Sequence, residues 1–298
     1  MALPTLARRY PLPSITSSPI RGDQFSSNRC PPPARLENML AITHTPSPRL
    51  ADCQLTFVDR SAIDYDRAVR QHTEYCRVLG DCGAKVYTLD VNADLPDSVF
   101  VEDTYVVLDE TALMCRLGAA SRREEAAGIE QTIARFRPID RVEIPATLEG
   151  GDVLRVDRTL LVGLSSRTNE AGVETLARIG GHYGYNIRVV PVHGCLHLKT
   201  ACTALPDNRL LVNPSWVDVG VLRDFAQVCV PASEPWGANV VCLRGHVIAA
   251  AENAETAALI RGLGFDVRTV ELDEFAKAEG GVTCLSILFR DDLRNDDR

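Results

Sequence analysis

Cys284 and His197 are the two side chains of this 298-residue chain that together could carry out nucleophilic catalysis. A cysteine thiolate attacks an electrophilic carbon, and a nearby histidine donates and accepts the protons that the reaction moves. Cys284 follows a glycine pair at residues 280–281 and opens an apolar, β-branched run. That pattern predicts a thiol at the junction of a loop and a buried strand. Buried cysteine is usually a small hydrophobic residue, and this interpretation fits most of the ten cysteines.

Carboxylates occur, like Cys284 and His197, at the entrances of hairpins that repeat along the sequence. The residues that enter the five predicted hairpins are mostly ionisable: Glu102 with Asp103, Glu149 with Asp152, His197, Asn239 and Cys284. Several carboxylates near a catalytic cysteine would be unusual in a cysteine protease, because negative charge opposes thiolate formation. They are consistent with a cationic substrate. Carboxylates bind a guanidinium or amidinium group through bidentate hydrogen bonds, and the charge of that group favours the thiolate that attacks its central carbon.

Five repeats of strand and helix patterns must position these residues. Hairpins begin near residues 104, 152, 200, 239 and 283, and a helix and a strand follow each of the first four. The predicted helices span about 64–79, 121–136, 170–182, 217–226 and 255–263, and Ser121 with Glu124 would form a capping box in the second. A strand at residues 40–45 can complete the fifth repeat.

The sequence therefore predicts an α/β fold, a single propeller of five ββαβ modules that the N-terminal strand closes. An open, doubly wound sheet is the alternative interpretation of alternating strands and helices. The hairpins count against that alternative, because two-residue turns join antiparallel neighbours and βαβ crossovers do not.

Composition and charge limit the possible partners. A net charge of −8 argues against nucleic acid or an anionic membrane and suits a small cationic molecule. Residues 1–38 contain seven of the 17 prolines and five arginines, so we expect a disordered leader before a single catalytic domain at 39–298. The scattered cysteines indicate a reduced, cytoplasmic protein. A mitochondrial transit peptide in the leader, or a true start at Met39, are the other interpretations.

Simpler interpretations exist for several of these residues. Asp152 could cap backbone amides in a turn, and Glu102 with Asp103 could be solvated charge before a strand. His193 is an alternative general acid, although it lies in no recognisable motif. Arg122 and Arg123 lie in the first turn of a predicted helix, an unfavourable place for cations, which indicates that at least one of them binds an anion.

Four motifs give the chain a specific resemblance. They are LPDSVFVED at residues 95–103, TLEGGDVL at 147–154, LHLK at 196–199 and GVTC at 281–284. In this order they resemble the motifs of the dimethylarginine dimethylaminohydrolase (dimethylargininase) family of the guanidino-group-modifying superfamily. The resemblance covers essentially residues 39–295, and it implies the pentein fold, a propeller of five α/β modules.

The resemblance also implies roles for individual residues. Cys284 would be the nucleophile, His197 would protonate the leaving amine and then activate water, and Glu149 would orient His197. Six residues would bind substrate: Asp97, Glu102 and Asp103 around the guanidinium, Arg122 and Arg167 at the carboxylate, and Leu55 as the contact residue of a mobile lid at residues 45–55.

The implied activity is hydrolysis of Nω-methylated arginine to citrulline and a methylamine, with no cofactor and no metal. Arginine deiminase or another guanidine hydrolase is the alternative within this chemistry, although deiminases usually carry an extra helical domain. A non-catalytic binding protein is the alternative of another class, since a ribosome-binding translation factor shares the architecture. We expect a monomer or a homodimer.

Overall fold

Five three-stranded sheets, one for each repeat of the sequence, make up the fold. The computed structural model describes residues 38–291, so the predicted leader lies outside the described residues except for Asn38. In every sheet the first strand pairs antiparallel with the second, and the second pairs parallel with the third. The prediction of five ββαβ modules is therefore confirmed.

The modules are numbered in chain order by their hairpins. Module 1 contains β3 (Tyr105–Val107), β4 (Ala112–Met114) and β5 (Ile139–Arg141), and module 2 contains β6 (Val153–Val156), β7 (Thr159–Leu164) and β8 (Asn186–Pro191). Module 3 contains β9 (Cys202–Ala204), β10 (Leu210–Val212) and β11 (Gln227–Cys229), and module 4 contains β12 (Val240–Leu243), β13 (His246–Ala250) and β14 (Asp266–Val270). Module 5 contains β15 (Ile287–Arg290), β1 (Met39–His44) and β2 (Ala84–Leu89).

Module 5 closes the ring as the sequence predicts. β1 pairs antiparallel with β15, with Met39 opposite Arg290, and parallel with β2. The first strands of the modules, β3, β6, β9, β12 and β15, all contribute to the wall of one cavity of about 700 Å³. These five strands therefore surround the axis of the propeller, and the residues that enter them meet there.

Six α-helices accompany the sheets within residues 38–291. They are α1 (Tyr65–Asp81), α2 (Glu125–Ile133), α3 (Glu170–His182), α4 (Leu198–Ala201), α5 (Ala254–Gly262) and α6 (Asp273–Ala276). The apolar face of α1, which includes Tyr75 and Leu79, is buried in the same hydrophobic cluster as residues of β1, β12 and β13. The side chain of Asp64 caps α1 by accepting a hydrogen bond from the backbone N–H of Arg67 at 2.9 Å. No helix within residues 38–291 is both long and apolar enough to cross a membrane.

Two helix predictions were wrong in detail. The predicted helix at 121–136 is divided into a 3-10 turn, Ala120–Arg122, and α2, and no side chain caps α2. The reason is that Arg122 turns inward and is buried, so Ser121 and Glu124 do not form a capping box. The predicted helix at 217–226 is only a 3-10 turn, Val219–Leu222, in which Asp218 accepts a hydrogen bond from the backbone of Gly220.

Candidate active site

Five hydrogen bonds connect the module entrances into a closed ring. Each bond joins one entrance to the next: Gly151 N to Asp103 Oδ1 (3.2 Å), Leu198 N to Asp152 Oδ1 (2.9 Å), Asn239 Nδ2 to Lys199 O (2.9 Å), Thr283 N to Asn239 Oδ1 (3.1 Å) and Glu102 N to Cys284 O (3.3 Å). Residues far apart in sequence are thereby held within one cluster at the propeller axis. The entrance residues singled out from the sequence are the ones that this ring brings together.

Cys284 lies in a short turn before β15 that the surrounding structure holds firmly. Its Sγ accepts a hydrogen bond from the backbone N–H of Gly281 at 3.4 Å. The hydroxyl of Tyr75, which is fully buried, lies 2.9 Å from Val282 O and 2.8 Å from Ser286 Oγ, on either side of the cysteine. Burial and then the negative charges of Glu102 and Asp103 raise the pKa of the Cys284 thiol to about 12. The thiol is therefore protonated at neutral pH when no cation lies beside it.

His197 and Glu149 form a buried pair. His197 Nε2 lies 2.6 Å from Glu149 Oε2, and the two side chains are at most 4% exposed. Burial lowers the pKa of His197, but the charge of Asp103, the hydrogen bond to Glu149 and the charges of Asp152 and Glu149 outweigh it and raise the pKa to about 9. Glu149 remains ionised because, although burial raises the pKa of its carboxyl, the hydrogen bond and charge of His197 lower it by more. The pair is an imidazolium and a carboxylate, so His197 carries a proton that it can donate.

The backbone around His197 is fixed by Asp152 and Gly151. Asp152 Oδ1 accepts a hydrogen bond from Leu198 N at 2.9 Å, and its Oδ2 accepts one from Ser165 Oγ at 2.6 Å. Asp152 thus caps a backbone amide, as the simpler interpretation of its motif predicts. A Cβ at Gly151 would lie 2.7 Å from His197 Nδ1, so only glycine allows this approach of the ring.

Asp103 is held between Arg122 and His197. Its Oδ2 accepts a hydrogen bond from Arg122 Nη1 at 2.8 Å, and its Oδ1 lies 3.7 Å from His197 Nδ1. Arg122 also binds both oxygens of Glu125 and the carbonyl of Phe100. Four of the five guanidinium N–H groups therefore have protein acceptors, which leaves one N–H on Nη1 for a ligand.

Glu102 lies at the inner end of the site, where the central cavity begins. Its Oε1 accepts a hydrogen bond from Lys199 Nζ at 2.8 Å, and both residues contribute to the cavity wall. Burial raises the pKa of Glu102, and the adjacent ammonium opposes that shift. Lys199 belongs to the LHLK motif, from which no role was predicted for it, although a lysine two residues after a candidate catalytic histidine is a signal for a carboxylate partner.

Residues 45–64, between β1 and α1, form a loop that we call the lid loop. Leu55 lies in this loop, and Asp97 contacts it. Both carboxylate oxygens of Asp97 accept the backbone N–H of Gln54, each at 3.1 Å. Leu55 is half-buried and packs, together with Cys284, against the hydrophobic cluster that also contains Val282. The predicted lid residue and the predicted nucleophile therefore share one apolar environment.

Arg167 is buried beneath the lid loop with an unused donor. Its Nη2 donates to Thr56 Oγ1 at 3.0 Å, and its Nη1 lies 3.7 Å from Glu149 Oε1 without a hydrogen-bond partner. The side chain is only 7% exposed. A buried, unsatisfied guanidinium N–H is costly, and an anionic ligand would satisfy it.

Two other features concern the alternatives. His193 is exposed, and its backbone N–H donates to Trp216 O, so it lies in the surface loop that the sequence predicts. Asp103, Glu149 and His197 are the one group within residues 38–291 whose ligand atoms lie close enough together, within 4.8 Å, to hold a metal ion. Two of these three side chains, His197 and Glu149, are already hydrogen-bonded to each other.

Comparisons with known proteins identify relatives of the chain. Residues 53–202 match the family described as N,N dimethylarginine dimethylhydrolase, eukaryotic. The N(G),N(G)-dimethylarginine dimethylaminohydrolase of Streptomyces coelicolor is 42% identical over 253 residues, which cover 84% of this chain and 97% of that protein. The Pseudomonas aeruginosa protein of the same name is 36% identical over 250 residues, or 83% and 98% of the two chains. A solved structure of the Pseudomonas aeruginosa enzyme, a cysteine-to-serine mutant in complex with citrulline, matches with a TM-score of 0.79 at 34% identity and covers 85% of this chain and 99% of that chain.

Proposed function

The chain belongs to the dimethylarginine dimethylaminohydrolase family, and we propose that it hydrolyses Nω-methylated arginine to citrulline and a methylamine. The observation that carries this proposal is the site itself. A half-buried thiol, an imidazolium paired with a carboxylate, and several further carboxylates lie at the entrances of one ring. Such a site lowers its own energy by binding a cation whose central carbon can be attacked.

The first half of the reaction forms a covalent intermediate. The substrate guanidinium enters among Asp97, Glu102 and Asp103, and its positive charge lowers the pKa of Cys284 from the raised value of the free enzyme, so that the thiol loses its proton to solvent. The thiolate attacks the guanidinium carbon and forms the S–C bond. His197 then gives its proton to the departing nitrogen, the C–N bond breaks, and a methylamine leaves a thiouronium on Cys284.

The second half uses the same residues in reverse. His197, now neutral, takes a proton from water, and the resulting hydroxide adds to the thiouronium carbon. The S–C bond breaks, the electron pair returns to the sulfur, and the added hydroxyl loses its proton as the C=O bond forms, which restores the Cys284 thiol and releases citrulline. Glu149 stays ionised throughout and orients the imidazole through the 2.6 Å hydrogen bond to Nε2.

The amino-acid end of the substrate binds beneath the lid loop. Arg167 supports this assignment best because its Nη1 is buried and has no partner, so a carboxylate satisfies it. Arg122 contributes one N–H, since its other four are bound to the protein. Leu55 covers the aliphatic chain of the substrate from the side of the lid loop. Residues 39–298 act as one catalytic domain in this proposal.

The relatives favour methylated arginine over arginine as the substrate. Both bacterial relatives named above carry the dimethylarginine activity in their names, and the chain covers nearly their whole length. An arginine deiminase would use the same thiol and imidazolium, so substrate choice must be measured.

A citrulline assay with arginine, monomethylarginine and dimethylarginine as parallel substrates tests the proposal. We expect the wild-type chain to form citrulline from the methylated substrates, and Cys284→Ser to form none while its circular dichroism and melting temperature remain those of wild type. Cys229→Ser is the matched control, because Cys229 is an exposed free cysteine on the third module and should keep full activity. Citrulline formation by Cys284→Ser would contradict the proposed nucleophile, and turnover of arginine alone would assign the chain to the deiminases.

A further inference from the structure

Glu279 makes an unusual contact with the lid loop. Its Oε1 accepts hydrogen bonds from three consecutive backbone N–H groups, those of Thr56 (2.9 Å), Phe57 and Val58 (2.8 Å). One carboxylate oxygen therefore fixes the backbone of three successive lid residues. Hydrogen bonds to an ionised acceptor are stronger than those between neutral groups, so this contact is a substantial part of what holds the loop.

The backbone conformation of Glu279 is one that residues with a side chain rarely adopt. Its φ is +59°, in the left-handed region that glycine adopts without steric cost. Glu279 follows α6, and the N–H of Gly280 donates to Phe275 O at 2.8 Å, in the manner of a helix C-terminus where glycine is favoured. A glutamate at this point bears a conformational cost that glycine would avoid, and its bond to the lid offsets that cost.

The position of Glu279 couples the lid loop to the nucleophile. Gly280 and Gly281 follow it directly, and Gly281 N is the group that donates to Cys284 Sγ. Two further contacts of the lid loop, between Asp97 and Gln54 and between Arg167 and Thr56, involve residues predicted to bind substrate. Glu279 belongs to neither the predicted catalytic set nor the predicted substrate-binding set.

We propose that Glu279 is a positioning residue that latches the lid loop over the active site and aligns it with the turn that carries Cys284. Asp97 holds the backbone of Gln54 with both carboxylate oxygens and must give up part of that contact to bind substrate, so Glu279 keeps the loop in place while it does so. The part of this inference that concerns turnover rests on the proposed function, and the part that concerns the loop does not.

Glu279→Gly and Glu279→Gln test the latch. Glycine removes the carboxylate and suits the backbone, so Glu279→Gly should be at least as stable as wild type. Glutamine keeps the shape and one acceptor oxygen but loses the charge, and it should give an intermediate effect. Arg244→Gly is the matched control, because Arg244 also has a positive φ, +50°, and lies in a hairpin turn of module 4 away from the site.

The first readout needs no substrate. Hydrogen exchange of a peptide that covers residues 54–60 should accelerate in Glu279→Gly, because three amides lose their acceptor, and should stay at the wild-type rate in Arg244→Gly. Tryptophan fluorescence should change in parallel, since Trp236 lines a cavity of about 170 Å³ together with Val58 and Glu279. Unchanged exchange and fluorescence in both Glu279 variants would overturn the latch, whatever the enzyme catalyses.

The second readout is kinetic. Loss of a preformed lid should raise KM for dimethylarginine by about 10-fold or more, as expected for the loss of charge-assisted hydrogen bonds, and should change kcat much less. Glutamine should recover part of that KM. Faster exchange with an unchanged KM would show that the latch has no role in binding and would overturn the positioning role. If wild type has no activity with any guanidine, the proposed function fails while the exchange result still decides the latch.

Discussion

Replacement of Glu149 by glutamine should move the pH at which His197 loses its proton from the alkaline range into the neutral range. Glu149 is fully buried, and its Oε2 receives the His197 hydrogen bond at 2.6 Å while its Oε1 accepts the N–H of Gly118 at 2.9 Å. A glutamine has one acceptor oxygen for these two donors. With that oxygen on Gly118, its NH₂ group faces His197 and requires a neutral imidazole. The substitution therefore favours loss of the proton that His197 must donate.

The size of the effect follows from the pKa of His197, which the structure raises to about 9. At pH 8 roughly 90% of the imidazole is then protonated. If the variant returns His197 to the ordinary pKa of 6.5, roughly 3% is protonated at that pH, which is a decrease of about 30-fold. Asp103 and Asp152 still raise the pKa of His197, so about 30-fold is the upper value for this cause. At pH 6 the imidazole is mostly protonated in both proteins, and the difference falls below about twofold.

The assay is kcat/KM for dimethylarginine between pH 5.5 and 9.5, which reports groups of the free enzyme. We expect the alkaline limb of the profile to move to lower pH in Glu149→Gln and the acid side to remain close to wild type. His193→Gln is the control, because His193 is exposed and outside the site, and its profile should equal that of wild type. A loss of activity in Glu149→Gln that is equal at all pH values would refute the assignment of His197 as a proton donor tuned by Glu149.

Three further predictions concern binding and stability. Arg167→Ala should raise KM for dimethylarginine by about 10- to 100-fold in steady-state kinetics, because a buried charged donor to the substrate carboxylate is lost; an unchanged KM would place the carboxylate elsewhere. Tyr75→Phe should lower the free energy of unfolding by about 1–3 kcal/mol in urea titration, because Val282 O loses its buried donor and the Ser286 hydroxyl loses its buried acceptor; a cost below about 0.5 kcal/mol would contradict this. Lys199→Met should cost about 3–5 kcal/mol because it leaves Glu102 buried without its partner, and adding Glu102→Gln should restore part of that loss; a double variant no more stable than Lys199→Met would refute the pairing.

The architecture was accessible from the sequence because each element carries its own local signal. α3 begins and ends as predicted, at residues 170 and 182, since Asn169 caps it and glycines lie near its end. The hairpins were visible from the alternation of apolar residues and from turn residues such as Arg244 and Gly245, which both adopt positive φ. Closure by β1 followed from counting strands, because the fifth module lacked one.

The remaining details depend on tertiary contacts that leave weak local signals. The capping box at Ser121 failed because burying Arg122 against Asp103 and Glu125 stabilises a separate turn more than one continuous helix would. In the sequence, Glu279 has the pattern of an ordinary surface glutamate before two glycines. Its role becomes visible only in the structure, where it accepts hydrogen bonds from lid-loop amides more than 220 residues away. Partners that distant cannot be inferred from one chain's local pattern.

The pairing of β1 with β15 also determines when this active site can exist. Met39 lies opposite Arg290, and Cys284 lies three residues before β15. During synthesis, Asp103, Glu149 and His197 are made before Cys284. The turn that carries Cys284 is fixed in place only when β15, the last strand to be made, pairs with β1, the first. Contacts between such distant segments form slowly. With Cys284 as the proposed nucleophile, we expect turnover to report closure of the ring.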